Sequence, residues 1–209
     1  MTAPSITMMR KRLPYIISVQ GLKKSGKTTV TEALIASLRF RGFSVGSMKF
    51  THLPHLKIDS EGSDTDRQAG AGAEFIVARS PEEIVIMDRR PGKKSFKEIA
   101  RLIPEDLQFI ICEGLAAAEV SLYVLCLRSL DELEEAAKIR HIPLSRLAAL
   151  SGPAASKLKD RAAYPMFDIM NTEEREALIS LIIKKAGDPS PAGRPCGPLQ
   201  KNPDWRPGR

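Results

Sequence analysis

The sequence predicts an α/β protein in three layers, with a mostly parallel central sheet and helices on both faces. Three observations lead there. Short apolar runs alternate with stretches whose apolar residues recur at helical spacing, which implies parallel strands joined by covering helices. The first apolar run stops at a glycine-rich turn that opens a helix. The chain has 209 residues, enough for one well-filled core and rather short for two.

The elements follow in order. A leader of about a dozen residues is expected to fray and to end near Pro14. Tyr15, Ile16, Ile17 and Val19 then read as a central strand. Over residues 27–41, Val30, Ala33, Leu34 and Leu38 recur at helical spacing, with Gly42 as the C-terminal stop. Residues 45–48 read as a strand, 51–68 as a polar segment, and 75–78 and 84–87 as further strands. Ser95 and Glu98 match a capping box for a helix running toward Ile103. Residues 109–112 and 120–127 are the next strands. Ser129 and Glu132 repeat the capping pattern before a helix over 130–140. Residues 147–150 and 166–169 are late strands, and Asn171 caps a final helix through about Lys185. Domain bounds of 14–186 follow, with a Pro- and Gly-rich tail over 187–209 that is too poor in apolar residues to build a core.

Composition narrows the function. Aromatic residues make up 5% of the chain, too few for a stacking platform on single-stranded nucleic acid. The formal charge of +7 favours anionic partners such as nucleotides. Cys112, Cys126 and Cys196 show no metal or redox spacing, and the first two lie in apolar runs. The longest apolar region, 109–127, is broken by Glu113 and Glu119, so no membrane span is read and the expected location is the cytoplasm.

Gly21-Leu22-Lys23-Lys24-Ser25-Gly26-Lys27-Thr28 fits G-x-x-x-x-G-K-[ST], between a predicted strand and a predicted helix. Gly21 and Gly26 permit close approach of backbone to phosphate, so the N–H groups around Ser25 can point at its oxygens. Lys27 is the candidate for the β and γ phosphates and for catalysis by charge, and Thr28 for Mg²⁺. Thr29 starts the helix or contacts the α phosphate. Lys24 either touches phosphate or faces solvent. These features predict a P-loop NTPase fold.

Mg²⁺ needs a carboxylate across from such a loop, at the end of another buried strand. Glu113 follows four apolar residues and precedes Gly114, which fits that place. The stretch 58–67 is polar and acidic and reads as a switch-type loop. In it Asp59 and Asp64 are candidates for Mg²⁺ or its waters, Thr65 for capping the next helix, and Arg67 for neutralising phosphate charge during hydrolysis. A solvated loop of turn-forming residues is the alternative. His52 and His55 beside Asp59 are a weak metal signal without a third ligand.

These residues resemble the MobB family, GTP-binding adaptors of molybdopterin-guanine dinucleotide biosynthesis. The resemblance rests on Gly26-Lys27-Thr28-Thr29, Met48-Lys49-Phe50-Thr51-His52, Gly62-Ser63-Asp64-Thr65, the 67–73 segment and Glu113-Gly114, in that order. Ser63 stands where the family has a lysine. The resemblance implies GTP and Mg²⁺ as cofactors, slow hydrolysis at most, a homodimer, and a molybdenum cofactor guanylyltransferase as partner. GTP rather than ATP rests on the resemblance alone. Two alternatives remain: a P-loop small-molecule kinase, and a nucleotide-dependent chaperone for a metal or a pterin.

Overall fold

The computed structural model describes residues 13–51, 60–92, 95–158 and 162–192. They belong to two compact units, Met1–Thr51 with Leu102–Arg209, and His52–Arg101. The leader, His52, His55, Asp59, Cys196 and most of the expected tail lie outside the described residues.

The first unit contains β1 (Tyr15–Gly21), α1 (Lys27–Phe40) and β2 (Val45–Lys49). After the second unit it continues with β5 (Phe109–Glu113), β6 (Leu122–Cys126), α4 (Leu133–Ile139), β7 (Leu147–Ser151), α5 (Ala155–Leu158) and α6 (Thr172–Lys185). Its five strands lie in the order β2-β5-β1-β6-β7, and every pairing is parallel. This is the α/β P-loop fold that the alternation predicts. Neither neighbour of β1 is adjacent to it in sequence. The chain steps outward to β2 on one side and returns to β6 on the other, so the strand order reverses at β1, where open α/β sheets bind ligands beyond their carboxyl ends.

Side chains alternate between faces along a strand. Ile17, Val19, Phe109, Ile111, Leu122 and Val124 pack with Val30, Leu34 and Leu38 of α1 and with Leu178, Ile179 and Ile182 of α6 in one core. Ile16, Ile110, Tyr123, Leu125 and Leu150 are as deeply buried. Ser18 and Gln20 share that buried environment by donating to the Leu115 carbonyl, each at 2.6 Å. Burial pushes the thiols of Cys112 and Cys126 up to about 12. Helix α1 ends as its sequence specifies: Gly42 takes φ 84°, its N–H bonds to the Arg39 carbonyl, and Phe43 N–H bonds to Leu38, a Schellman closure. His141 fills the equivalent position after α4 with φ 50°. Asn171 caps α6 by accepting from Glu174 N–H at 3.1 Å. Beyond α6, the Ser190 carbonyl accepts from Gln108 Nε2 at 2.7 Å.

The second unit holds α2 (Asp64–Gly70), β3 (Phe75–Arg79), β4 (Ile84–Asp88) and α3 (Phe96–Ala100). The capping box of Ser95 and Glu98 forms, and the helix it opens ends at Ala100 rather than near Ile103. Strands β3 and β4 are antiparallel and make a separate two-stranded sheet, which corrects their reading as part of the parallel alternation. The physical reason is the connection: residues 80–83 form a tight turn in which Ser80 Oγ accepts from the N–H groups of Glu82 and Glu83, and a parallel pair needs a crossover of a dozen residues or more.

Other local expectations also change. The 166–169 strand reduces to one parallel bridge, Leu150 with Met166. Ser129 makes no side-chain cap, because Glu132 turns back to pair with the Arg128 guanidinium and accept from its N–H. Asp64, Thr65 and Arg67 are helical, and Ser63 rather than Thr65 caps that helix by accepting from Asp66 N–H. No helix among the described residues is long and apolar enough to cross a membrane.

Candidate functional site

Residues 21–28 join the carboxyl end of β1 to α1, and three positive φ angles shape them: Gly21 at 149°, Lys24 at 64° and Gly26 at 84°. Lys24 is exposed, and a side-chain-bearing residue persists in the left-handed region only where its surroundings impose it, as functional loops do. Gly21 has no room for a side chain. A Cβ there would stand 2.3 Å from Ser25 Oγ and 2.5 Å from the Cys126 carbonyl oxygen. Gly152, just past β7, closes on the loop from another side, with a Cβ position 2.6 Å from the Ser25 carbonyl oxygen. Ser25 is wholly buried, and its Oγ has no hydrogen-bond partner among the described residues.

Gly26 is the N-cap of α1, supplies no side-chain cap, and is followed by a first turn without acids. By contrast, α2, α3, α4 and α6 all carry acids in their first turns. The start of α1 therefore leaves its N–H groups and the positive end of its dipole to an anion from outside. Lys27, in this first turn, lays its Nζ on the Leu22 carbonyl at 2.6 Å. Burial holds its ammonium below the ordinary lysine value, the nearby Arg140 adds to the depression, and Glu113 opposes it. A cation made uncomfortable in this way gains from an incoming phosphate.

Thr28 Oγ1 donates to Glu113 Oε2 at 3.2 Å. Glu113 ends β5, and its side chain is only 14% exposed, so the carboxylate is held at the sheet's carboxyl edge rather than loose in solvent. Gly114, at φ 87°, turns the chain away. A Cβ there would stand 2.6 Å from the Phe50 carbonyl oxygen, so only glycine lets the ends of β2 and β5 meet so closely. Through that junction Lys49 lies opposite Glu113, with Nζ 3.9 Å from Oε2.

The fold thus brings the segment of Gly21, Lys24, Ser25, Gly26, Lys27, Thr28 and Thr29 to the end of β5, where Thr28 meets Glu113, with the Lys24 side chain exposed. Asp64 and Arg67 belong to the second unit, where they pair with one another across one turn of α2 at 3.7 Å, both well exposed. Asp59 lies outside the described residues. Lys49 and the charge of Arg140 on Lys27 went unread as parts of the site, and the loop of Ser151 and Gly152, which the sequence offers only as a guess for base contact, instead packs on Ser25. Lys49 was findable, because it ends a strand just as Glu113 does. Gly152 meets the loop through tertiary packing, which no local pattern announces.

Comparison with known proteins decides the family. The sequence profile described as MobB, molybdopterin guanine dinucleotide synthesis protein B, matches residues 16–139, more than half of the chain. The chain belongs to the MobB family. It is 29% identical over 110 residues to the molybdopterin-guanine dinucleotide biosynthesis adapter protein of Haemophilus influenzae, a match covering 52% of this chain and 61% of that one. The adapter protein of the same description from Escherichia coli K12 is 26% identical over 121 residues, covering 56% and 69%. The match thus spans less than two thirds of the Haemophilus relative. In structure, MobB of Bacillus subtilis superposes with a TM-score of 0.62 at 20% identity, covering 80% of this chain and 97% of that one. A MobB homologue from Bacillus stearothermophilus gives 0.56 at 20% identity, covering 83% and 99%. At that identity the likeness concerns the fold. The MobB profile ends before Gly152, so the residue that packs against Ser25 lies beyond the matched segment.

Proposed function

We propose that the protein is a GTP-binding adaptor with weak Mg²⁺-dependent GTPase activity that assists the guanylylation of molybdopterin in molybdenum cofactor biosynthesis. The observation that carries this reading is the Thr28–Glu113 pair at 3.2 Å beside the 21–28 loop, in a chain of the MobB family. The residues fit the ligand. Ser25 Oγ is buried without a partner among the described residues, and glycine at 21 and 152 lets the loop pack closer to Cys126 and Leu127 than a side chain would allow. A hydroxyl beside a carboxylate is the hard-oxygen donor set that Mg²⁺ takes.

The loop N–H groups and Lys27 would bind and orient the phosphates, and Thr28 and Glu113 would hold the metal. Bound Mg²⁺-GTP would supply the terminal phosphoryl group. Positioning and charge carry most of the rate in such sites, which suits slow turnover. Asp59 as a metal-side acid, and Asp64 and Arg67 as catalytic groups, belong to the same proposal. So do a cytoplasmic location, a guanylyltransferase partner and a homodimer. The names of the adapter relatives support the partner, and the outward apolar face of β3 and β4 supports a second copy.

Calorimetric titration with GTP and ATP, with and without Mg²⁺, tests the reading on wild type and Lys27→Ala. We expect Mg²⁺-dependent GTP binding that weakens by about 100-fold or more in the variant, as loss of a buried phosphate contact requires. Equal, tight binding by both proteins would sink the proposal.

A further inference from the structure

We infer that Lys49 is the specificity residue that lets this site tell a nucleoside triphosphate from the corresponding diphosphate. The inference deepens the nucleotide reading above and rests on it.

The placement of Lys49 is built in by the backbone. It is the last residue of β2 and lies directly opposite Glu113 in the parallel register. The next residue, Phe50, donates its N–H to the Glu113 carbonyl at 2.9 Å, and its own carbonyl oxygen presses on Gly114. The end of β2 is therefore clamped to the end of β5, and the Lys49 side chain must start from the carboxylate's side of the sheet edge.

Charge then makes the argument. One oxygen, Glu113 Oε2, receives Thr28 Oγ1 at 3.2 Å and faces Lys49 Nζ at 3.9 Å. Lys27 precedes Thr28 in the chain, so two lysines serve this end of the loop against one carboxylate, an excess of positive charge that a polyanion satisfies. Lys49 is held only lightly in this arrangement, because its side chain is 62% exposed and an exposed pair of that length contributes almost nothing to stability.

The side of the loop on which Lys49 stands fixes what it reads. In glycine loops of this kind the N–H groups cradle the α and β phosphates, while the hydroxyl after the loop lysine faces the metal that bridges β and γ. Lys49 shares its carboxylate oxygen with that hydroxyl, so it lies at the γ end. A diphosphate leaves it on Glu113, and a triphosphate gives it a second acceptor.

The test is equilibrium binding by the full chain of Mg²⁺ with a non-hydrolysable GTP analogue and of Mg²⁺ with GDP, for wild type, Lys49→Met, Lys49→Arg and Lys27→Ala. Lys49→Met should lose about 10-fold for the triphosphate analogue and less than about threefold for the diphosphate, the difference one charge-assisted contact makes. Lys49→Arg should restore most of the ratio, and Lys27→Ala should weaken both ligands. If Lys49→Met shifts both affinities by the same factor, or neither, Lys49 does not discriminate and the inference fails while the nucleotide reading stands. If wild type binds neither ligand, both fall together.

Discussion

The sheet unit and the hairpin unit treat their apolar residues in opposite ways. In β1, β5, β6 and β7 almost every side chain is buried. In the hairpin, Phe75, Val77, Ile84 and Ile86 are all exposed, and Val77 lies opposite Ile86, so they share one outward face. Helix α2 has no buried residue at all. A two-stranded sheet is marginal by itself, and this one keeps its shape with local polar devices. The Ser80 turn is one. The other is Arg90, which stacks on the Phe75 ring and grips Asp88 with two hydrogen bonds. The lesson is a division of labour: the glycine loop and Glu113 are anchored in a rigid core, whereas Asp64 and Arg67 ride on an element that has none.

The largest test of that contrast is a matched pair of truncations. Ile111→Ala in β5, wholly buried, should cost about 2–5 kcal/mol in urea unfolding. Ile86→Ala in β4, 48% exposed, should cost less than about 1 kcal/mol. Similar losses at the two sites would erase the distinction.

A smaller effect separates two glycines with nearly the same backbone angle, Gly152 at φ 96° and Gly72 at φ 102°. Gly152→Ala must push against the Ser25 and Leu127 carbonyl oxygens, and should cost about 1–3 kcal/mol. It should also weaken nucleotide binding, measured on the same protein. At Gly72 a Cβ would meet nothing within 4 Å, so Gly72→Ala should cost only the left-handed backbone penalty, about 1 kcal/mol.

The smallest concerns ion pairs. Arg41 reaches Glu176 at 2.6 Å and also bonds Ser180, half-shielded in the sheet unit, and Arg41→Gln should cost about 1 kcal/mol. Arg67→Gln removes an exposed pair at 3.7 Å and should change stability by less than about 0.5 kcal/mol. A larger loss for Arg67 would mean that α2 is held more firmly than its exposure implies.

These contrasts also mark what the sequence could say. The strand, glycine loop and helix of residues 15–40 were legible because each residue there answers a local demand: apolar alternation, positive φ, an uncapped helix start. Ser95 with Glu98 and Asn171 were legible as caps for the same reason. Where two local interactions compete, sequence alone misjudges the winner: Glu132 prefers Arg128, one turn away, to the Ser129 cap. Strand direction was misread at 75–88, although Pro81 within the short connection between the two runs pointed to a hairpin. At the candidate site the meeting of the loop, Thr28 and Glu113 was legible, because motif and strand end place them at the same edge of the sheet. The packing of Gly152 on Ser25 was not legible, because its neighbours are chosen by packing between segments distant in the chain.

The strand order has a consequence for how the molecule is made. Both neighbours of β1 come from residues about 90–110 positions later, so closing this sheet costs long-range loop entropy before any contact repays it. Until those strands are made, β1 and the glycine loop after it lack both of their pairing partners. The loop is walled in only once Glu113, Cys126 and finally Gly152 have emerged, so a nucleotide bound as proposed would stabilise the finished unit rather than its beginning.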